Sequence, residues 1–276
     1  MSRVFLLREV WSADDSIPFL YGGAGTSENL LRAMMESIFG VAPSRLTPIR
    51  SLGHLVRVGR LHFADWRRIG PEGKPMRDNG RLYHYLPPRR VLQQLRTHLA
   101  SRAVLDAPAD GGTELYQPHG LLWLSRGGRE KRQVAADREA VLLNRMREIW
   151  AARVGGKASV TVLGNKFPPL LDVQRTFYTA AAVAGIHGAG LGNVLFCRPG
   201  THVIEVACQQ PHCHYFAHAS MALDFQYWFV PLTPRHAHLL RFVEPPEEEL
   251  LGVVQDVAEE VAAAANAADK PVSDEL

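Results

Sequence analysis

From Gly120 to Val230 the chain alternates short apolar runs with longer segments of helical period, and few folds accept that rhythm. Leu121–Leu124 reads as a buried strand, followed by the polar turn Ser125-Arg126-Gly127-Gly128. A helix is expected from about Ala135 to Ala152, with Val141, Leu142, Met146 and Ile149 as its buried stripe and Gly155-Gly156 ending it. Strands follow at 159–163, 182–186, 202–206 and 226–230. Helices separate them at 170–179, after Gly190, and at 215–223. Strand alternating with helix at this spacing predicts a parallel sheet covered on both faces, a Rossmann-like α/β domain.

The flanks are read from the same periods. After Pro245-Pro246 a last helix is expected from about Glu247 to Ala265, docking through Leu250, Val254, Val257 and Val261. The portion before Pro118 is sparser. It holds the apolar run Val4–Leu7, helices at 28–39 and 89–105, and Gly/Pro-rich connections, of which Ala107–Gly112 is the best linker. The expected organisation is an N-terminal α/β domain at 1–117, smaller or truncated, a Rossmann-like domain at 118–245, and a helix and tail at 246–276.

A formal net charge of +3 is too small to argue for a nucleic-acid partner, so the arginines count by position rather than by sum. No apolar run approaches the roughly 18 residues of a membrane span, and the apolar run within Met1–Glu9 is too short for a signal peptide. Cys208 and Cys213 fit two thiols in a reducing compartment or a small disulfide loop in an oxidising one. The ending Ser273-Asp274-Glu275-Leu276 resembles the Lys-Asp-Glu-Leu class of retrieval signals, which points to the endoplasmic reticulum lumen or Golgi. Its alternative is an acidic frayed tail.

Chemistry concentrates in Gly185-Ile186-His187-Gly188-Ala189-Gly190-Leu191-Gly192. A strand, a glycine-rich turn and a helix start gather unpaired amides and a positive helix end around one point, which suits a phosphate. His187 stands at the C-terminal end of its strand, where open α/β sheets bind ligands. Glu205, near the end of the next strand, is within reach of a ribose hydroxyl. Arg126 lies at a strand's C-terminal end on the same sheet edge, ahead of Arg129, Lys131 and Arg132, and a guanidinium fork matches phosphate oxygens. Arg126 is the first candidate and Arg132 the second. The plain alternatives are a tight turn, a core histidine and a solvated basic loop. The dinucleotide fingerprint fails because Asn193 stands where its third glycine belongs. Asp-X-Asp, Walker, Gly-X-Ser-X-Gly and His-Glu-X-X-His motifs are all missing, and Asp14-Asp15 reads as a turn.

Together, Ser125-Arg126, Arg132, Leu171-Asp172-Val173-Gln174, His187–Phe196, Pro199-Gly200 and Val203-Ile204-Glu205 resemble glycosyltransferase family 61 over about residues 120–232. One departure is Gly192, where that family usually carries Thr. Cys208, Cys213 and the Asp-Glu-Leu ending are similar to the branch that adds N-acetylglucosamine to epidermal-growth-factor-like domains; other members are plant xylan arabinosyl- and xylosyltransferases. The resemblance implies a GT-B-like pair of Rossmann-like domains across a cleft, with 118–245 as the donor half. It implies a UDP-sugar donor, an acceptor hydroxyl on a protein or glycan and inversion at the anomeric carbon; with Asp-X-Asp missing, no metal or other cofactor is expected. Arg126, Arg132, His187, Gly188, Ala189, Gly190 and Glu205 would then hold the nucleotide, with Asp65 or His54 as candidate general base. Alternatives are a pentosyltransferase acting on polysaccharide, an NAD(P)-dependent oxidoreductase, and a non-catalytic module that binds nucleotide sugars.

Overall fold

The computed structural model describes residues 18–21, 26–48, 89–101, 119–128, 131–155, 158–164, 168–208, 215–233 and 240–268. Contacts divide the chain into two compact units, Met1–Asp106 and Ala107–Leu276. In the first, β1 (Phe19–Tyr21) and β2 (Leu46–Pro48) pair in parallel and are joined through α1 (Thr26–Phe39) and a 3-10 turn at Pro43–Arg45. Parallel strands need such a crossover because a tight turn returns the chain antiparallel. Gly40, at φ 65°, ends α1 and lets the Val41 amide turn back to the Met35 carbonyl. The next helix, α2 (Arg89–Ser101), buries Val91, Leu92, Leu95 and Leu99, and its His98 stacks on Phe39 of α1. The run Val4–Leu7, the linker 107–112 and residues 102–105 lie outside the described residues.

The second unit carries the expected sheet. Its strands are β3 (Gly120–Leu124), β4 (Ser159–Leu163), β5 (Ala180–Ile186), β6 (His202–Cys208) and β7 (Gln226–Leu232). All pair in parallel, in the order β4-β3-β5-β6-β7. The connecting elements are α3 (Ala136–Val154), α4 (Leu170–Tyr178), a 3-10 helix (Ala189–Phe196), α5 (Tyr215–Leu223) and α6 (Glu247–Ala268). From β3 the chain steps outward to β4, then crosses back past β3 to β5 and continues to β7. Right-handed crossovers running in opposite directions put their helices on opposite faces. In agreement, α3 packs with α6, and α4 and α5 pack with the 3-10 helix.

Packing corrects the sequence reading in three places. In α3 the buried residues are Leu142, Leu143, Met146 and Trp150, while Val141 is 53% exposed. The two buried tryptophans each find an acceptor, Trp150 Nε1–H on the His119 carbonyl and Trp123 Nε1–H on Glu139. The sheet is covered on both faces only in its centre: β5 is wholly buried, whereas edge strand β4 exposes Ser159, Thr161 and Val162. The element after Gly188 is a 3-10 helix, and buried Leu191, Val194 and Cys197 recur at its three-residue period. By contrast α6 buries Leu250, Val254, Val257 and Val261 as expected.

Gly185 sets how closely the central strands meet. A Cβ added there would stand 2.9 Å from Leu124 Cβ and 3.2 Å from the Leu124 carbonyl oxygen on β3. Neither atom can swing away, so Gly185→Ala is expected to destabilise the unit by about 1–3 kcal/mol, the usual cost of overpacking. Urea denaturation measures it, and an unchanged midpoint would contradict the packing.

His202 gives the unit a pH dependence. It is 6% exposed, and its Nδ1 accepts the Trp228 Nε1–H at 3.1 Å. Burial holds the imidazole below the ordinary value of 6.5, with the Glu260 carboxylate pulling weakly the other way. The unfolded chain therefore takes up a proton at a pH where the folded one does not. This contribution is fully present above the unfolded value and is lost as the pH falls towards the lower folded one. Stability should drop as the pH falls below the ordinary value of 6.5, and less steeply in His202→Asn, whose carbonyl can still accept from Trp228. Equal slopes for the two proteins would remove His202 as the cause.

Candidate functional site

The strand order reverses between β3 and β5, and the connections leaving these neighbours run in opposite directions. In doubly wound sheets the crevice at the C-terminal ends of such a pair is where ligands bind. Ser125 and Arg126 follow β3 there, and His187 and Gly188 follow β5.

Arg126 and the glycine turn come together. A Cβ on Gly188 would overlap the Arg126 guanidinium, so only glycine leaves that group its seat. The backbone of Gly188 is extended, at φ 173° and ψ 173°, so the requirement is for space and not for an unusual dihedral. Arg126 Nε–H donates to the Lys131 carbonyl at 3.3 Å, which orients the side chain from behind. Glu139 accepts the Ser125 hydroxyl at 2.8 Å, and the Ser125 hydroxyl accepts the Gly127 amide at 3.2 Å. The first bond of the 3-10 helix runs from the Leu191 amide to the Gly188 carbonyl. The amides of Ala189 and Gly190 thus precede the helical bonding pattern and lie beside the guanidinium's seat.

Arg132 is held by backbone. Its amide donates to the Leu240 carbonyl at 2.8 Å, and the next residue, Gln133, donates to the Arg241 carbonyl. It adopts φ 61°, a left-handed conformation that costs a non-glycine residue about 1 kcal/mol or more. Its Nε is buried with no hydrogen-bond partner among the described residues.

His187 extends the ladder, its amide donating to the Val206 carbonyl at 2.9 Å. Its Nδ1 is hydrogen-bonded to Glu205, and the ring packs on Phe216 of α5 at 5.5 Å between centroids. Glu205 is 0% exposed, and its second oxygen accepts the Tyr227 hydroxyl at 2.5 Å. The carboxylate expected to reach a ribose is thus committed inside the protein on both oxygens. Tyr227, Phe216 and Glu139 were not singled out in the sequence. Only strand register brings Tyr227 beside Glu205, and only the packing of α3 and α5 brings in the other two. Asp65, His54, Asp14, Asp15 and Cys213 lie outside the described residues, as does the side chain of Cys208. Among the described residues no three His, Cys, Asp or Glu side chains gather as a metal site, and no helix is long and apolar enough to cross a membrane.

The glycosyltransferase 61 family model matches residues 52–204, more than half the chain. The chain belongs to glycosyltransferase family 61. The match takes in β3 through β5 and the first three residues of β6, with Arg126, Arg132 and the whole glycine turn, and ends one residue before Glu205. No curated protein sequence matches the chain. Among solved structures it is similar to two variants of a flavo di-iron protein from Thermotoga maritima, at 9% and 10% identity and a TM-score of 0.35. Each alignment covers 61% of this chain and 40% of the other, so the chain spans less than half the length of those structures.

One methyl group tests the seat of Arg126. The guanidinium is the flexible end of its side chain, so Gly188→Ala should leave the fold intact and displace Arg126. Gly192 has open space where its Cβ would stand, and Gly192→Ala should change little. Nucleotide affinity measured by titration is expected to fall at least about tenfold in the first variant only, a loss of about 1.4 kcal/mol. Equal affinities would separate Arg126 from the ligand.

Proposed function

We propose that this family member transfers a sugar from a UDP-sugar, N-acetylglucosamine being the sugar favoured by the branch resemblance, to a hydroxyl of a protein or glycan. The observation that carries this reading is the Arg126 guanidinium seated on Gly188 at the reversal of the sheet, beside the unbonded start of a helix. The acceptor oxygen forms a bond to the anomeric carbon as the bond from that carbon to the diphosphate oxygen breaks, with inversion. UDP leaves, and the acceptor's proton passes to a base. Negative charge grows on the diphosphate as its bond breaks, and preorganised donors aimed at it lower the barrier. Arg126, Arg132 and the amides from Gly188 to Gly190 are those donors in this reading, and His187 meets the nucleotide alongside them. The GT-B pairing of a donor half with an N-terminal acceptor half is part of the same proposal.

The oxidoreductase alternative has less to support it, since Asn193 breaks the dinucleotide fingerprint and the family match is to transferases. A donor screen on the purified chain, reading released UDP, tests the reading directly. Arg126→Ala is expected to lower turnover about 10²–10³-fold, the usual cost of losing one such donor. Arg132→Gly separates function from folding: it relieves the left-handed strain, so the melting temperature should hold or rise while nucleotide affinity falls. Binding of NAD in preference to UDP would overturn the assignment, as would full activity in Arg126→Ala.

A further inference from the structure

We infer that Glu205 and Tyr227 are positioning residues that hold His187 so that its Nε2 meets the nucleotide; this rests on the donor reading above. Strand register supplies the first support. Gly185 of β5 lies opposite Glu205 of β6, and Glu205 lies opposite Phe229 of β7. Alternation along each strand then puts His187, Glu205 and Tyr227 on one face of three neighbouring strands, His187 just past the C-terminal end of β5, Glu205 midway along β6 and Tyr227 near the start of β7.

Energetics supply the second. A fully buried carboxylate is costly unless its oxygens are hydrogen-bonded, and an aliphatic side chain would fill the same place in the sheet without that cost. Glu205 is 0% exposed and spends both oxygens, on His187 and on Tyr227. The member of this trio that a ligand at the crevice would meet is His187, whose side chain keeps 20% of its exposure and adjoins the seat of Arg126. A carboxylate only accepts, so we place the hydrogen between Glu205 and the ring on Nδ1. Nε2, on the other edge of the ring, has no hydrogen-bond partner among the described residues. Phe216 packs against the ring and limits its rotation. The carboxylate therefore acts on the nucleotide through the imidazole and does not bind the ribose itself.

The test uses the whole chain and UDP as the probe. Nitrogen NMR of the free protein should show His187 protonated at Nδ1, a signature that a packing role alone would not require. His187→Asn keeps a polar group near the Nδ1 position and loses the one at Nε2. It should fold with near-native stability and bind UDP about tenfold more weakly, the size of one lost hydrogen bond. His187→Gln reaches the Nε2 position and gives up the hold on Glu205, so stability should suffer more than affinity. Tyr227→Phe changes one oxygen; it should stay folded, blur the Nδ1 signature and raise KM for the donor more than it lowers kcat. Native UDP affinity in His187→Asn, or an Nδ1 without its proton in the free protein, overturns the inference. An unaltered protein that shows the Nδ1 signature yet binds no UDP overturns the donor reading and the ligand half of this one, leaving only the internal hold.

Discussion

The reversal of strand order between β3 and β5 is the constraint on which the rest of the second unit depends. Two parallel neighbours whose connections depart in opposite directions leave a crevice at their C-terminal ends between those connections. Ser125-Arg126 and His187-Gly188 enter that crevice because each pair directly follows one of the two strands. Two glycines tune the approach: Gly185 lets β5 lie against Leu124, and Gly188 lets the Arg126 guanidinium settle over the turn. Their shared role is the absence of a Cβ. Neither adopts a left-handed dihedral, in contrast to Gly155, at φ 83°, which closes α3.

The same edge of the sheet concentrates features that a purely structural unit would avoid. Glu205 is a buried acid, Arg132 is strained and carries a buried nitrogen unpaired among the described residues, and the glycine turn leaves amides outside the helical bonding pattern. Each weakens the fold locally. The compensation lies in the apolar layer where α3 and α6 cover β3, β5, β6 and β7, with Trp123, Trp150, Met146 and Val254 fully or almost fully buried. Ion pairs from Arg145 to Glu247 and Glu248 join the two helices at the surface, where such pairs add little.

How much of this was legible follows from the length scale of each signal. Strands and helices of the second unit carry full periods, and their places along the chain were read directly, with ends within three residues. Val141 was misplaced because Val141 and Leu142 are equally apolar and only packing against the sheet decides which turns inward. The three-residue strands β1 and β2 are too short to display a period. At the site, Arg126 and His187 were legible because each stands immediately after a strand. Tyr227 was not, since its role comes from a diagonal neighbour on another strand.

By itself, then, the sequence determined the parallel α/β unit, the glycine turn and the arginines beside it, because hydrophobic period and chain adjacency are local properties. Tertiary structure alone decided the strand order, the meeting of Arg126 with Gly188 across 62 residues of chain, and the turning of Glu205 inward onto His187 and Tyr227. Those outcomes depend on which strands become neighbours and in what register. Pairing between distant segments is set by the packing of the whole sheet, which no local window of residues contains.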